Sequence, residues 1–349
     1  MSIEHFLNRS TTGWMNGEGE ASDIVLSTRI RLARNVANYR FPTIFSKEEA
    51  LEIKSQLIRA VEDDAFEVVE MNALSVLDRR VLVEKHLISP QLADREEAGA
   101  ILLSGDEKLS VLVNEEDHVR IQSIYPGLQL EEAYERAMMI DDAIEEEVPY
   151  AYDKEFGYLT SCPSNTGTGL RASVMMHLPA LTMTKQMQRV AVAVSRLGMT
   201  VRGSYGEGSE ALGNIYQLSN QLTLGKSEED IIEELKQVVL RLIAHERDSR
   251  KWLLQRSPIA LEDKLYRSLG RLTHARLLAS GEAAKALSDV RLGIDLGLIE
   301  NVDMSVLNEL MIFMQPAFLQ RYANETLDAN ERDQFRAKLF RERLAFSKP

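Results

Sequence analysis

The chain has 349 residues, 44% of them hydrophobic, and a formal net charge of -13. That length supports two modest domains, and the acidic balance excludes a nucleic-acid partner, which needs a basic face to displace counterions. No apolar run reaches the roughly 18 residues of a membrane span, and residues 1–16 lack a signal-peptide core, so the expectation is a cytoplasmic protein with no membrane association.

Residues 24–36 alternate, with Ile24, Leu26, Thr28, Ile30 and Leu32 on one face and Val25, Ser27, Arg29 and Arg31 on the other, which predicts a strand. Helical spacing follows Ser46 over 46–62, and stretches 74–83 and 99–121 carry Val, Ile and Leu at strand period. A helix is expected over 130–146, ending near Pro149, and a strand near Tyr158 to Ser161 leads into the turn-rich loop Cys162 to Gly169. Ala180 to Leu197 reads as a helix closed by Gly198. A glycine-rich loop then ends near Gly213, and a strand follows over 214–222. Ser227 with Asp230 resembles a capping box for a helix running toward Trp252. Beyond Pro258 the strand signal disappears, and amphipathic helices are separated by Gly281, by Gly293 and Gly297, and by Pro316. The expected division is residues 1–255 and a helical 256–349.

Several short patterns carry no weight. Gly167, Gly169 and Ala172, and again Gly206, Gly208 and Ala211, fit GxGxxA without an evident βαβ unit. Gly225-Lys226-Ser227 imitates the end of a phosphate-binding loop, but Asn220 stands where its first glycine belongs. HRD and DFG are absent. Cys162 is the only cysteine, and the six histidines show no HExxH, so no structural zinc site is expected.

Arginines offer another way to hold phosphate. Arg29 and Arg31 share a strand face, Arg120 closes the run from Asn114, and Arg171 and Arg202 lie beside the two loops. Guanidinium forks bind phosphoryl oxygens bidentately and stay charged. In an extended chain Glu116 would share a face with Asn114, His118 and Arg120, an acid beside a phosphate anchor; a solvated turn is the other reading of that acidic run. Cys162 reads equally as a small buried hydrophobe or as a reactive thiol. Arg332 and Arg336, one helical turn apart with Asp333 between them, read on their own as a solvated helix face.

Four runs in order, Ser27-Thr28-Arg29-Ile30-Arg31, Asn114 to Arg120, Cys162 to Val174 and Arg202-Gly203-Ser204-Tyr205-Gly206-Glu207, resemble the ATP:guanido phosphotransferases, or phosphagen kinases. The resemblance covers about residues 20 to 250 and implies an α+β fold: a catalytic domain with a largely antiparallel sheet flanked by helices, here followed by an all-α C-terminal domain. It implies ATP and Mg2+ as cofactors, the metal being held mainly through ATP and water. By the same resemblance Ser27, Thr28, Arg29, Ile30, Arg31, His86, Arg120, Arg171, Ala172, Ser173, Val174, Met175, Arg202, Gly203, Ser204, Tyr205, Gly206 and Glu207 would form the nucleotide site. Glu116 would be the catalytic carboxylate, Glu207 its partner on a mobile loop, and Cys162 the thiol beside the guanidinium. Ser164 and Thr166 stand where relatives often carry threonine and an aliphatic residue, a departure that removes no charge.

Phosphagen kinases carry a helical domain ahead of these motifs, whereas 26 residues precede Ser27 here. The expectation is an open acceptor site suited to arginine in a protein, as in bacterial protein-arginine kinases. That likeness implies that Arg332, Asp333, Arg336 and Ala337 bind phosphoarginine as an allosteric activator. It also implies protein substrates, a zinc-binding activator protein, a heat-shock repressor, a Clp chaperone-protease and homo-oligomers as partners. A kinase of a free guanidino compound and a non-enzymatic phosphoarginine adaptor are the competing readings.

Overall fold

A computed structural model describes residues 3–61, 65–95, 97–203 and 211–345. In chain order its elements are α1 (Ile3–Asn8), β1 (Val25–Arg34), α2 (Lys47–Val61), β2 (Phe66–Glu70), α3 (Val76–Glu84), α4 (Pro90–Ala93), β3 (Ala100–Ser104), β4 (Leu109–Val113), β5 (Val119–Pro126) and α5 (Leu130–Glu147). They continue with β6 (Tyr152–Asp153), β7 (Gly157–Tyr158), β8 (Leu170–His177), α6 (Pro179–Met183), α7 (Met187–Ser195), β9 (Met199–Gly203), β10 (Ile215–Asn220), α8 (Glu228–Arg256), α9 (Pro258–His274), α10 (Ser280–Asp295), α11 (Met304–Phe313), α12 (Pro316–Ala323) and α13 (Ala329–Ala345).

Eight strands form one antiparallel sheet in the order β2-β3-β4-β5-β1-β8-β10-β9, and β6 pairs with β7 in a separate hairpin. The α+β architecture expected from the sequence is therefore the one observed. Strand β1 lies mid-sheet, so it is hydrogen-bonded on both sides, and its alternation sends Ile30 and Leu32 into the core beneath α2, α5 and α8. A bulge between Val25 and Ser27 shifts the register. As a result Val25 joins the Ile30 side and Leu26 the opposite core, the reverse of the simple alternation.

On the opposite face, Leu26, Ile101, Leu103, Leu112, Ile124 and Met175 pack into a second core together with the N-terminal Phe6 and Trp14 and the helices beyond α8. One hydrophobic cluster thus joins both ends of the chain to the sheet. Strand ends on this face that the helices leave uncovered form the floor of a cleft.

Local chemistry explains most boundaries. Ser46 and Glu49 cap α2 reciprocally, the Glu49 amide donating to the Ser46 hydroxyl at 3.2 Å and the Ser46 amide to the Glu49 carboxylate at 2.7 Å. Ser227 accepts the Asp230 amide at 3.1 Å and starts α8 where the sequence places it. Stretch 74–83, read as strand, is instead helix α3: Ser75 caps it through the Asp78 amide, and Val81 and Leu82 are buried while Val76 stays exposed. The helix expected from Ala180 to Leu197 is broken into α6 and α7 at Lys185, whose φ is +59°. Gly281 and Gly293 lie inside α10 rather than between helices. A Cβ at Gly293 would stand 2.6 Å from Ile299, so that glycine serves close packing. Among the described residues no helix is long and apolar enough to cross a membrane.

Candidate active site

Strand register brings the arginines together. Arg29 pairs across from Ile124 on β5 and Ser173 on β8, Arg31 stands opposite Gln122 and Arg171, and Ala33 opposite Arg120. Arg202 on β9 faces Gln217 of β10. These side chains line a cleft of about 340 Å³, with Arg29, Arg31, Arg120, Arg171 and Arg202 on its walls and Glu116, Asn165, Gly169, Gly203, Gln217 and Ser219 completing it.

The guanidinium groups of the cleft repel one another. Arg29 donates to the Gln217 side-chain oxygen at 3.1 Å, an uncharged partner. Arg120 is paired, to Glu115 at 2.7 Å and to Glu116 at 2.9 Å. Burial, followed by repulsion from Arg120 and Arg171, lowers the Arg29 guanidinium to about 10. Burial and the charges of Arg29, Arg120 and Arg171 likewise push Arg31 well down, with Glu115 opposing them. The Arg31 Nε is buried and has no hydrogen-bond partner. An unpartnered buried donor amid mutually repelling cations is the signature of a polyanion site, and the residues present therefore fit a nucleotide polyphosphate.

Glu116 arrives by a turn, the second of the two readings open in the sequence, but not a solvated one, because Glu115 and Asp117 on either side of it are buried. Asn114 adopts φ +58°, and residues 114–118 form the hairpin between β4 and β5. The turn places Glu116, 31% exposed, against Arg120 at the edge of the cleft, while His118 turns into the protein. The His118 Nδ1 accepts the Val36 amide at 3.0 Å and its Nε2 lies 3.0 Å from the Arg40 carbonyl, so the ring is neutral with the proton on Nε2. Burial lowers its pKa to about 4.

Asp117 ties this turn to the cysteine loop. Its Oδ1 accepts the Asn35 side-chain amide at 2.8 Å and the Ser161 backbone amide at 2.6 Å, and Asn35 in turn accepts the His118 amide at 3.0 Å. Cys162, partly exposed, follows directly, with its Sγ 3.0 Å from the Ser164 hydroxyl. The loop is seated by Gly167, whose φ is +117° and whose Cβ, if present, would stand 2.1 Å from the Thr223 carbonyl oxygen.

The remaining candidates sit as follows. His86, at φ +61°, stacks edge-on to Trp14 at 5.6 Å, its carbonyl accepts the Gln122 amide at 2.9 Å, and burial with Arg29 nearby lowers its ring to about 4. Ser27 and Thr28 are buried; the Thr28 hydroxyl donates to the Gly127 carbonyl at 2.7 Å and accepts the Gln129 amide at 3.2 Å. Ile30, Ala172 and Val174 belong to the core beneath the other face, and Met175 to the helix-covered core. Ser173 lies beside β1 and donates to the Arg29 carbonyl at 3.3 Å. Ser204, Tyr205, Gly206 and Glu207 lie outside the described residues. Among the described residues no cluster of three or more His, Cys, Asp or Glu side chains is arranged to hold a metal ion.

Arg332, Asp333, Arg336 and Ala337 lie on α13, far along the chain from the cleft. Arg336 is buried and donates to the Met314 carbonyl at 3.0 Å, the Leu278 carbonyl at 2.7 Å and Asp333 at 2.6 Å. Arg332 donates to the Leu327 carbonyl at 2.8 Å, and Ala337 is buried.

Sequence reasoning did not single out Glu115, Asp117 or Gln217. The signal for Gln217 is present, since Gln217 and Ser219 are polar at period two and alternate with Tyr216 and Leu218. Nothing comparable marks Asp117, whose partners are 82 and 44 residues away.

Comparison with known proteins bears on this geometry. Residues 50–249 match the family model for the ATP:guanido phosphotransferase C-terminal catalytic domain. The chain belongs to the ATP:guanido phosphotransferase family. In this guanido phosphotransferase, residues 258–349 also match the protein-arginine kinase McsB C-terminal domain. It is 57% identical over 350 residues to the protein-arginine kinase of Geobacillus thermodenitrificans, covering 99% of this chain and 96% of the relative, and 54% identical over 354 residues to that of Bacillus subtilis, again covering 99% and 96%. Among solved structures, lombricine kinase superposes with a TM-score of 0.59 at 26% identity over 68% of this chain and 70% of its own. A duplicated taurocyamine kinase from Schistosoma mansoni, with transition-state-analogue components bound, gives 0.60 at 25% identity, covering 74% of this chain and 38% of its own. The chain is an ATP-dependent enzyme that phosphorylates a guanidino group.

Proposed function

We propose that the acceptor is the guanidinium of arginine residues in proteins. The observation that carries this reading is the pairing of an arginine-lined polyanion cleft with Glu116 at its edge, in a chain similar along 99% of its length to protein-arginine kinases. Arg29, Arg31, Arg120, Arg171 and Arg202 hold the phosphate oxygens, with His86 toward the adenosine and the Gly203 backbone lining the far wall. Ser27, Thr28, Ile30 and the residues from Ala172 to Met175 contribute by fixing the strands that carry those side chains. Mg2+ would enter with ATP, held through the phosphates and water and not by protein side chains, and would supply charge neutralisation to the transferring group.

A protonated guanidinium, with a pKa above about 12, is a poor nucleophile. Glu116 orients it and takes the proton released as the nitrogen bonds the γ-phosphorus and the bond to the bridging oxygen of ADP breaks. Glu207, outside the described residues, is the proposed second carboxylate, and Cys162 sits beside the acceptor nitrogens. The arginines stabilise charge on the transferring phosphoryl group, so most of the acceleration comes from positioning and electrostatics.

Residues 1–255 form the catalytic unit in this reading and 256–349 a regulatory helical unit, in which Arg332, Asp333, Arg336 and Ala337 bind phosphoarginine as an allosteric activator. Because Arg336 is occupied by carbonyls and Asp333, such binding requires exchange of the Asp333 contact, the one partner that is itself partly exposed. The same reading places the enzyme in the cytoplasm as a homo-oligomer. Its partners there are a zinc-binding activator protein, a heat-shock repressor as substrate and a Clp chaperone-protease that receives the marked proteins.

The test is incubation with magnesium ATP and an unfolded arginine-rich protein, mapping acid-labile phosphate by mild mass spectrometry beside a Glu116→Ala control. Phosphoarginine on the protein, lost in the control, is expected. Phosphate on free arginine alone would overturn the reading.

A further inference from the structure

Beside the cleft lies a second depression of different character. It is an open groove of about 410 Å³ between the β6–β7 hairpin and residues 223–228, and its inner edge is formed by Gly167 and Thr168. Asn165 and Gly169, on either side of that pair in the same loop, line the cleft itself. The cysteine loop is therefore the shared wall of both. An extended chain advances about 3.3 Å per residue, so a segment that leaves the cleft across this shared wall runs onto the groove within a few residues.

The groove is lined by exposed apolar side chains that the protein holds rigidly. Tyr152 is 59%, Phe156 48% and Leu224 53% exposed, and all three line it. The hairpin that displays them is anchored from behind. Tyr158 stacks on the buried Arg34 at 3.6 Å, Arg34 is paired to Asp141 at 2.6 Å, and Tyr158 exchanges backbone hydrogen bonds with Gly167 at 2.8 and 3.3 Å. Tyr152 packs edge-on against Tyr158 at 5.3 Å, and the Asp153 carboxylate accepts the amides of Glu155 and Phe156 at 2.8 and 3.0 Å, locking the turn. Aromatic side chains exposed on a pre-organised hairpin bind with little loss of conformational freedom.

The rim is acidic. Glu155 and Glu228 line the groove, and Glu145 and Glu228 are close enough to add to the effect of burial in raising the Tyr158 hydroxyl. Of the lysines present, Lys226 is already paired with Glu234, leaving Lys154 on the edge.

We propose that this groove docks the polypeptide flanking the target arginine, with Tyr152, Phe156 and Leu224 receiving an apolar residue and Glu155 and Glu228 favouring basic neighbours. The inference rests on the protein-acceptor reading and adds the surface that selects the substrate. The complementarity is direct, since an arginine-bearing segment is cationic and an unfolded one exposes apolar side chains.

The test compares wild type with the Tyr152→Ser/Phe156→Ser double variant on three acceptors under saturating magnesium ATP: a peptide with one arginine flanked by leucine and lysine, the same peptide with glycine and serine flanks, and free arginine. The KM for the first is expected to rise about tenfold, with the other two and the KM for ATP unchanged. Fluorescence anisotropy of the labelled leucine-lysine peptide without ATP gives a second readout, in which the variant loses binding. Equal behaviour of wild type and variant in both would overturn the docking site. A change in the variant's sedimentation coefficient without a change in peptide binding would also overturn it, assigning the face to contacts between copies of the chain. If wild type binds the peptide but phosphorylates none of the acceptors, the protein-acceptor reading fails while the groove, judged by anisotropy, stands.

Discussion

Arg31 of β1 and Arg171 of β8 occupy directly opposed positions in antiparallel register, and the charge of Arg171 is among those that push the Arg31 guanidinium down. Opposed like charges on a sheet are destabilising, so this pair costs stability that a bound polyanion returns. Arg31→Gln is expected to raise the melting temperature of the ligand-free protein by about 2 °C and the KM for ATP by about tenfold, one 1.4 kcal/mol step. Scanning fluorimetry with and without tripolyphosphate checks both. A lower melting temperature in the ligand-free variant would show that the charge is not under strain.

Glu116 meets Arg120 while remaining partly exposed, a position suited to an incoming acceptor. Glu116→Gln should lower kcat by about 10² to 10⁴ and leave the nucleotide Kd within about threefold. Single-turnover phosphorylation and calorimetry separate the two. A large loss of nucleotide affinity would assign Glu116 to holding Arg120 and not to the transfer step.

Asp117 is expected to act through its neighbours. Asp117→Ala removes the acceptor for both Asn35 and Ser161, leaving buried donors that cost about 1–3 kcal/mol. The turnover number should fall while the KM for ATP is retained, because the Glu116 turn and the Cys162 loop lose their common support. A parallel loss of nucleotide affinity would count against that division.

The Arg34–Asp141 pair is fully buried at 2.6 Å, and burial raises the Asp141 carboxyl despite its partner. Asp141→Leu, which strands the guanidinium, should destabilise the protein by about 3–5 kcal/mol in urea unfolding. The Arg34→Met/Asp141→Leu double variant should recover part of that loss; an additive or greater loss would mean that the arginine's stacking on Tyr158 dominates.

Acid should unfold the protein through its neutral histidines. The folded-state pKa of His118 is lowered to about 4 by burial, with Asp117, Glu49 and the Arg40 carbonyl opposing. His86 is lowered to about 4 as well, and His177 falls well below its usual value. A depressed folded pKa gives stability that is complete above the unfolded value near 6.5 and is lost as pH falls toward about 4. His118→Gln should therefore show a smaller decline in melting temperature between pH 7 and pH 4.5 than wild type. An identical decline would locate the acid sensitivity elsewhere.

Much of the fold was legible because it depends on periodicity. Arg29 and Arg31 alternate with Ile30 and Leu32, and a central strand with one charged and one apolar face is the only arrangement that satisfies both. The gathering of the arginines could be expected from that alternation, though their opposition across β1 and β8 could not, since register is set by long-range pairing. The Glu116 turn stayed one of two readings for a local reason. Asn114 takes a left-handed conformation that asparagine tolerates but alternation does not reveal, and a one-residue change of direction sends His118 inward and Glu116 toward Arg120. Likewise α3 has the Val and Leu content of a strand, and only Ser75 with Asp78 marks its start. Arg336 looked solvated because its partners, the carbonyls of Leu278 and Met314, are backbone atoms with no signature in side-chain identity.

The sheet face that carries Arg29 changes character within one step along the strand and one step across it: Leu26, Ile124 and Met175 belong to the core covered by the C-terminal helices. That seam is a dielectric boundary. On its helix side water is absent, so the field of the guanidinium groups is not screened from behind and spreads instead into the open cleft. Hydrocarbon supplied by one end of the chain thereby strengthens the pull of charges supplied by another on an approaching anion.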